Sequence, residues 1–202
     1  MDVAGGVEQP SPAAEMRQMS ETRPMLALEQ LPDQPDARHA EARAFCLAVI
    51  KEYYSTDYRP DWHADLDSLT AEPARSWYSA HNRGAFWTVR DAGDAIVATA
   101  GLYHLGWKSN LAAYLVARYP QPDQVPQLVR VYVRADQRGR RIGRWLNETA
   151  ESEAHRLGYD TLYLHASADA PATLGFWRGR GYAEIVEREA YIHFDKSLSN
   201  SP

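Results

Sequence analysis

The sequence predicts a three-layer α/β (α+β) fold in which helices flank both faces of a central mixed sheet. The patterns along the chain run strand, helices, hairpin, strand, helix, strand, helix, strand. Strand–helix–strand units imply parallel neighbouring strands joined by right-handed crossovers. At 202 residues with 45% hydrophobic residues, the chain fits one domain with a core. We expect this domain at residues 23–198 and a disordered tail at residues 1–22, which lack apolar periodicity.

The first half of the chain indicates a strand, two helices and a hairpin. Strand compositions lie at residues 24–31, 86–89 and 96–103. Asp36 is a plausible N-cap for a helix whose apolar residues recur at helical spacing up to Tyr53. A second helix is predicted over residues 66–79. The segment 91–94 has the composition of a Gly-containing hairpin turn.

The second half indicates two strand–helix units and a final strand region. Strand patterns lie at residues 128–133, 161–167 and 184–194. The apolar stripe from Ile142 to Leu157 predicts a helix that ends at Gly158. Pro171 suits the first turn of another helix. The connection at residues 106–126 is long for a compact domain, which is typical of functional or mobile segments.

Composition excludes several classes of protein. The net charge of -5 argues against general nucleic-acid binding. The lone Cys46 excludes an internal disulfide and most cysteine-based metal sites, so we expect no metal. No apolar run approaches the roughly 20 residues that span a bilayer. We therefore expect a cytoplasmic protein with no membrane partner.

An arginine-rich segment is the strongest local signal. Six arginines and one acid, Asp136, lie between Arg130 and Arg144. A strand, a Gly-containing turn over residues 138–143 and a helix start follow one another here. The first N–H groups of a helix lack intrahelical partners, and the helix dipole adds positive charge. The segment predicts a phosphate-bearing ligand, although exposed arginines such as Arg140 and Arg144 are also typical of a solvated helix face.

Two motifs in this half of the chain resemble the GNAT superfamily of acyl-CoA-dependent N-acetyltransferases. Residues 138–143 read Arg-Gly-Arg-Arg-Ile-Gly, similar to the signature Arg/Gln-x-x-Gly-x-Gly/Ala. Arg141 stands where the signature has Gly; because a residue entering a helix can have a negative φ, we expect this departure to be mild. The second motif is the aromatic pair Phe176-Trp177 followed by Gly181-Tyr182.

The resemblance implies a mixed, mostly antiparallel sheet with a V-shaped splay, and acetyl-CoA as cosubstrate. It implies that backbone N–H groups bind the pyrophosphate and that pantetheine runs along a strand edge. It also allows a homodimer. The residues it assigns to the cofactor are Val131, Tyr132, Val133, Arg138, Gly139, Arg140, Arg141, Ile142, Gly143, Arg144, Phe176 and Trp177.

The catalytic groups of the family do not carry over directly. Many members use a glutamate at the start of the fourth strand as base and a tyrosine in the second motif as acid. Gln127 and Trp177 occupy those positions here, and Ala170 replaces a common asparagine. Gln127 cannot accept a proton, but it can orient water or substrate. The replacement candidates for the base are His165 first and His104 second, while structural roles for both histidines stay open. Tyr191 and Tyr132 are weaker candidates for the acid.

The resemblance implies an N-acetyltransferase that acts on a primary amine of a small molecule or protein. The missing base and acid leave an alternative, a non-catalytic acyl-CoA-binding sensor or interaction module. A nucleic-acid binder is disfavoured by the global charge.

The acceptor is not decoded by any motif. An aromatic group is either packing or a substrate-pocket wall: Tyr53, Tyr54, Tyr58 and Trp62. An acidic group either attracts a cationic acceptor or is solvated: Asp57, Asp61, Asp65 and Asp67.

Overall fold

The computed structural model describes residues 25–198 and contains one seven-stranded sheet within them. The strands are β1 (Ala27–Gln30), β2 (Ala85–Arg90), β3 (Ile96–His104), β4 (Pro126–Val133), β5 (Thr161–Ser167), β6 (Ala183–Arg188) and β7 (Tyr191–Ser197). Their order in the sheet is β1-β2-β3-β4-β5-β7-β6. All neighbours are antiparallel except β4 and β5. The predicted mixed, mostly antiparallel sheet is confirmed; the predicted tail at residues 1–22 lies outside the described residues.

Five α-helices of the described part of the chain cover both faces of the sheet. They are α1 (Ala37–Tyr54), α2 (Pro60–Ser68), α3 (Ser109–Leu115), α4 (Ile142–Arg156) and α5 (Pro171–Gly179). One core cluster packs α4 and α5 against the sheet, and a second packs α1 and α2 against the opposite face. Every residue of β2 is buried because helices cover it on both sides. No helix within residues 25–198 has both the length and the apolar character needed to cross a membrane.

Several local signals in the sequence are confirmed. Asp36 caps α1: its carboxylate accepts a hydrogen bond from the N–H of Arg38 at 2.9 Å. Pro171 occupies the first turn of α5. Gly158 follows α4 with φ +79° and so uses the left-handed conformation that glycine adopts without strain. Cys46 lies on the buried face of α1.

One predicted helix is wrong in its boundaries, and one short helix was not predicted. The second helix spans Pro60–Ser68 rather than residues 66–79. Pro60 starts it, since a proline at the first helical position forfeits no intrahelical bond. Turns and a short 3₁₀-helix (Ala80–Asn82) connect Ser68 to β2. The connection at residues 106–126 contains α3, whose seven residues are too few for a clear periodic pattern.

The sheet opens between β4 and β5. These strands pair only at Gln127 and Tyr163 and then diverge. A bulge in β4 lies just beyond, where two residues oppose one residue of β3 and Arg130 adopts φ 53°. Thr99 fixes this bulge because its hydroxyl donates to the carbonyl of Arg130 at 2.9 Å. Since a bulge bends its strand, it helps to turn β4 away from β5, and the predicted V-shaped splay is confirmed.

Candidate active site

A cleft of about 620 Å³ lies between the start of α4 and the middle of α5. Val133 closes it at the end of β4. Its lining comprises Val133, Gln137, Arg138, Gly139, Arg141, Ile142, Gly143, Arg144, Gly175, Phe176, Gly179 and Arg180. Four of these residues are arginines and none is an acid, so the cleft is suited to an anionic group.

Backbone donors point to the same chemistry. Within residues 25–198 no hydrogen bond uses the backbone N–H of Ile142, Gly143 or Arg144. These are the first three residues of α4, where the helix dipole also favours negative charge. A Cβ built on Gly143 would meet the ring of Phe176 at 3.5 Å, so the absence of a side chain keeps this approach to the backbone open. The site fits a phosphate group of the predicted kind.

Arg141 overturns one expectation. We expected the residue in the Gly position of the signature to have a negative φ, yet Arg141 has φ 65° and ψ 13°. The prediction is wrong because the turn must reverse direction just before α4 begins. A non-glycine residue in this left-handed region is strained by about 1–2 kcal/mol. Gly139, two residues earlier, has φ +76° without that penalty.

The arginines of the signature segment divide into two groups. Arg138, Arg141 and Arg144 line the cleft, together with Arg180 at the end of α5. The other three bond elsewhere: Arg130 with Asp65, Arg134 with Asp136, and Arg140 with Gln137. The sequence segment therefore contains more arginines than the cleft uses. It also does not include Arg180, because that residue comes from a different helix.

We call the start of α4 (Ile142, Gly143 and Arg144) the cradle. Of the other expected cofactor residues, some line the cleft and some do not. Phe176 lines the cleft, whereas Trp177 packs in the core against Tyr182, with ring centroids 5.5 Å apart. Val131 is partly buried against the same core. The ring of Tyr132 packs beneath α1, and burial raises its pKa to about 12. Side-chain contacts of Trp177 and Tyr132 with a ligand in the cleft are therefore not supported.

A second cluster lies at the base of the splay. The side-chain nitrogen of Gln127 is 3.2 Å from Nδ1 of His165. The hydroxyl of Tyr163 is 3.3 Å from that same atom and 2.6 Å from Nδ1 of His193. The ring of Tyr191 stands edge-on to His165 with centroids 5.2 Å apart. Strand pairing explains this convergence, since His165 lies opposite His193 in the register of β5 and β7.

The imidazole of His165 is neutral at neutral pH. Protein surrounds most of the ring, and this desolvation, with smaller contributions from the nearby His193, Lys108 and Arg130, lowers the pKa of His165 to about 4. The ring nevertheless remains exposed on one side, where water offsets part of the desolvation. A neutral, accessible histidine is able to accept a proton.

The amide of Gln127 decides which nitrogen of His165 is available. Its oxygen is buried without a hydrogen-bond partner in the described part of the chain, while its nitrogen faces Nδ1 of His165. Rotation of the amide by half a turn places the oxygen on Nδ1, which then carries the proton and leaves Nε2 as the acceptor. Tyr163 can then accept from the same Nδ1–H and donate its own proton to His193.

A sequence profile of the acetyltransferase (GNAT) family matches residues 47–182. The chain belongs to this family. Among curated protein sequences no relative matches.

Solved structures share the GNAT fold. An acetyltransferase of the GNAT family from Staphylococcus aureus Mu50 superposes with a TM-score of 0.66 at 16% identity, covering 87% of this chain and 100% of that one. The PaiA N-acetyltransferase of Thermoplasma acidophilum, in complex with coenzyme A, gives 0.59 at 11% identity over 86% and 99%. FeeM, an N-acyl amino acid synthase from uncultured soil microbes, gives 0.63 at 10% over 87% and 92%.

In this GNAT domain, His104 lies apart from the histidine cluster. It ends β3 and stacks on Trp107 with centroids 5.5 Å apart. Its Nδ1 is buried without a hydrogen-bond partner among residues 25–198, and no hydrogen bond or ring contact within these residues joins it to Gln127 or His165. Desolvation lowers the pKa of His104 as well. The structure therefore brings together Gln127, His165 and Tyr191, but not His104.

The structure also decides between the two interpretations of the acidic group and of the aromatic group near α2. All four acids pair with cations: Asp57 with Lys51, Asp61 with Arg59, Asp65 with Arg130, and Asp67 with Arg43. Asp65 is fully buried, so its interpretation as a solvated charge is wrong. The aromatic rings are 39–58% exposed, so they do not form a packed layer under a loop: Tyr53, Tyr54, Tyr58 and Trp62.

Sequence reasoning missed two members of the histidine cluster. Tyr163 alternates with His165 along β5, so the sequence places both side chains on one face of the strand, but it does not show that the completely buried Tyr163 has a polar role. His193 was only part of a final strand region. The alternation of β5 contained the first signal, whereas the second depended on the pairing of β5 with β7, which no local pattern encodes.

Proposed function

We propose that residues 23–198 form an acetyl-CoA-dependent N-acetyltransferase domain that acetylates a primary amine of a small molecule or protein. The observation that carries this proposal is that one strand reaches both sites: Val133 at the end of β4 lines the cleft, and Gln127 near its start contacts the neutral, accessible His165. The PaiA structure with coenzyme A supports a CoA-type cosubstrate for this fold. A cytoplasmic location and a homodimer remain predictions.

The residues at the cleft fit the charged part of the cosubstrate. The N–H groups of Ile142, Gly143 and Arg144 would hold the pyrophosphate, with guanidinium groups around it. Beyond Gln127, the edge of β4 that faces the splay is not paired with β5. Its backbone groups are thus available to a pantetheine chain, which would lie there as an added strand. When bound, acetyl-CoA supplies the acetyl group as an activated thioester.

His165 is the base that we infer. An ammonium has no lone pair, so the acceptor amine must lose a proton before it attacks a carbonyl carbon. Nε2 of His165 would take that proton, while Gln127 holds Nδ1 in the protonated form. The hydrogen bonds from Nδ1 through Tyr163 to His193 offer a route by which the charge leaves the splay. Gln127 is a positioning residue in this scheme.

Tyr191 is the acid candidate. The departing thiolate benefits from a proton, and Tyr191 lies beside His165 with 42% of its surface exposed. Tyr132 is disfavoured because its hydroxyl is already within 3.3 Å of Nη1 of Arg130 and its pKa is raised. A Tyr191→Phe variant should lower kcat while leaving the affinity for CoA unchanged.

Two measurements test the proposal. Calorimetry with acetyl-CoA and CoA addresses the cosubstrate, and a free-thiol assay across a panel of primary amines addresses transfer. We expect His165→Ala to lower kcat about 10²–10⁴-fold, the usual contribution of a general base. His155→Ala, an exposed histidine near the end of α4, serves as the matched control and should keep the wild-type rate.

The outcomes separate the alternatives. Absence of CoA binding at millimolar ligand overturns the proposal. Binding without turnover of any amine supports instead the non-catalytic acyl-CoA module. Turnover that survives His165→Ala unchanged removes His165 from the mechanism and returns the choice of base to other residues.

A further inference from the structure

The strand register identifies which residues face the acceptor. Gln127 and Tyr163 are paired where β4 and β5 begin to separate. Two residues further along β5 stands His165, and three residues further along β4 stands Arg130. At about 3.3 Å per residue, both lie at a similar height on the two arms of the splay. An amine that reaches His165 is therefore bordered on the other arm by the surroundings of Arg130.

Arg130 belongs to a buried ionic cluster, which we define as Asp65, Arg130 and Lys108. Arg130 binds Asp65 through two hydrogen bonds, Nε to Oδ2 at 2.8 Å and Nη2 to Oδ1 at 2.7 Å. Tyr78 donates its hydroxyl proton to Oδ2 at 2.7 Å. Asp65 has no exposed surface, whereas the side chains of Arg130 and Lys108 are 16% and 26% exposed. The cations thus lie toward the opening, and their counter-ion lies beneath them.

The ionic cluster carries more positive than negative charge. Two cations share one carboxylate, and Nζ of Lys108 is 3.8 Å from Oδ1 of Asp65, too far for a hydrogen bond. Its other neighbour is the ring of Trp77, with 5.2 Å to the centroid. No hydrogen bond of Lys108 Nζ is found within the described residues. His63, another titratable group nearby, has a lowered pKa and accepts from the N–H of Arg59, so it adds no charge at neutral pH.

We propose that the acceptor is a free amino acid, whose amine reaches His165 while its carboxylate binds Lys108 beside Arg130. This inference rests on the proposed function and names its substrate class. A single surplus positive charge matches one carboxylate, whereas a phosphate dianion would leave a buried negative charge unpaired. Three N–H donors on a partly desolvated ammonium form strong charge-assisted hydrogen bonds with a carboxylate.

The exposed aromatic rings near the splay guide the choice of an amino acid as test substrate. Tyr58 and Trp62 follow α1 on the side of the ionic cluster, and Arg130 itself contacts the carbonyl oxygen of Trp62 at 3.3 Å. Phenylalanine brings a ring to such a surface. Phenethylamine lacks the carboxylate, and phenylalaninamide carries an uncharged carboxamide in its place, so the three compounds differ at the carboxylate position alone.

The experiment measures kcat/KM for these three compounds with saturating acetyl-CoA. Wild-type protein should prefer phenylalanine over the other two. Lys108→Met should lower the ratio of kcat/KM for phenylalanine to that for phenethylamine about 10–100-fold, as expected for one charge-assisted hydrogen bond. Lys108→Arg should retain most of the ratio. Lys51→Met makes the same substitution at an exposed lysine, 74% of whose side chain is accessible, and should leave the ratio unchanged.

Each result decides the inference. A wild-type preference for phenethylamine, or an unchanged ratio in Lys108→Met, overturns the amino-acid acceptor while leaving amine acetylation intact. Failure of every amine to react overturns the proposed function as well. Thermal melts establish that Lys108→Met is folded; if it is not, Lys108→Gln is measured by the same ratio.

Discussion

Arg141 holds the backbone at φ 65° immediately before α4, at the position where the GNAT signature has glycine. Replacement of Arg141 by Gly removes a side chain that lines the cleft and also relieves the backbone. Replacement by Ala removes the same side chain but keeps a Cβ in the left-handed region. The difference in unfolding free energy between these two variants therefore reports the backbone alone.

The magnitude follows from two opposing effects. A Cβ in the left-handed region costs about 1–2 kcal/mol. Glycine gives back about 0.5–1 kcal/mol because it has more conformational freedom in the unfolded chain. Arg141→Gly should thus be more stable than Arg141→Ala by roughly 0.5–1 kcal/mol. For a domain of this size that difference raises the melting temperature by roughly 1–4 °C.

Urea unfolding followed by circular dichroism measures the difference, with calorimetry for CoA affinity. Both variants should lose affinity for CoA to a similar degree, since both lose the guanidinium. Arg140→Gly is the matched control: the φ of Arg140 is not positive, so glycine there should only destabilise. If Arg141→Gly proves less stable than Arg141→Ala, the strain that we assign to this turn does not exist.

Three further predictions concern charge, pH and the cradle. Asp65→Asn should destabilise the fold by about 3–5 kcal/mol in urea unfolding because it leaves a buried guanidinium unpaired. Asp67 also pairs with an arginine, but its side chain is 39% exposed, so Asp67→Asn should cost under about 1 kcal/mol; equal losses would contradict the burial argument. Because the folded pKa of His165 lies below its unfolded value of 6.5, the unfolded chain binds more protons, so stability should fall as pH drops from 6.5 toward about 4. His165→Ala should flatten that part of the stability profile and remove the acidic limb of the rate profile, and identical profiles would refute the assignment. Gly143→Ala should bind CoA nearly normally, since its Cβ meets Phe176 at an ordinary 3.5 Å. Gly143→Leu should bind CoA roughly 10–100-fold more weakly by calorimetry. Unchanged affinity in the leucine variant would show that the pyrophosphate does not bind at this cradle.

The charge distribution gives the two ends of the proposed reaction path different roles. The cleft is lined by four arginines and by backbone donors, with no acid, and its arginines come from both sides of the gap between α4 and α5. The splay instead contains neutral histidines on one arm and a compensated ion pair with one further cation on the other. The acetyl donor and the amine acceptor would thus be held by two separate groups of charges, each positioned by a different pair of secondary-structure elements.

Local patterns determined much of the fold and one half of the site. Apolar periodicity located α1 and α4, and alternation located β5, because these elements bury one face over many residues. The turn and helix start at residues 138–144 identified the cradle, since backbone donors at a helix start depend only on local conformation. The sequence did not predict the short α3 or the start of α2, because neither segment has enough helical turns to give a periodic signal.

The tertiary structure decided which distant residues meet. The pairing of β5 with β7 brings His193 to Tyr163 and His165, and the bulge at Arg130 turns that arginine toward Asp65, 65 positions earlier. Neither contact has a sequence signature, because strand register and bulges arise from long-range packing. By itself the sequence indicated an anion cradle and its family resemblance. The histidine cluster that we propose as proton acceptor, and the surplus charge of Lys108, became visible only when the tertiary structure placed the strands side by side.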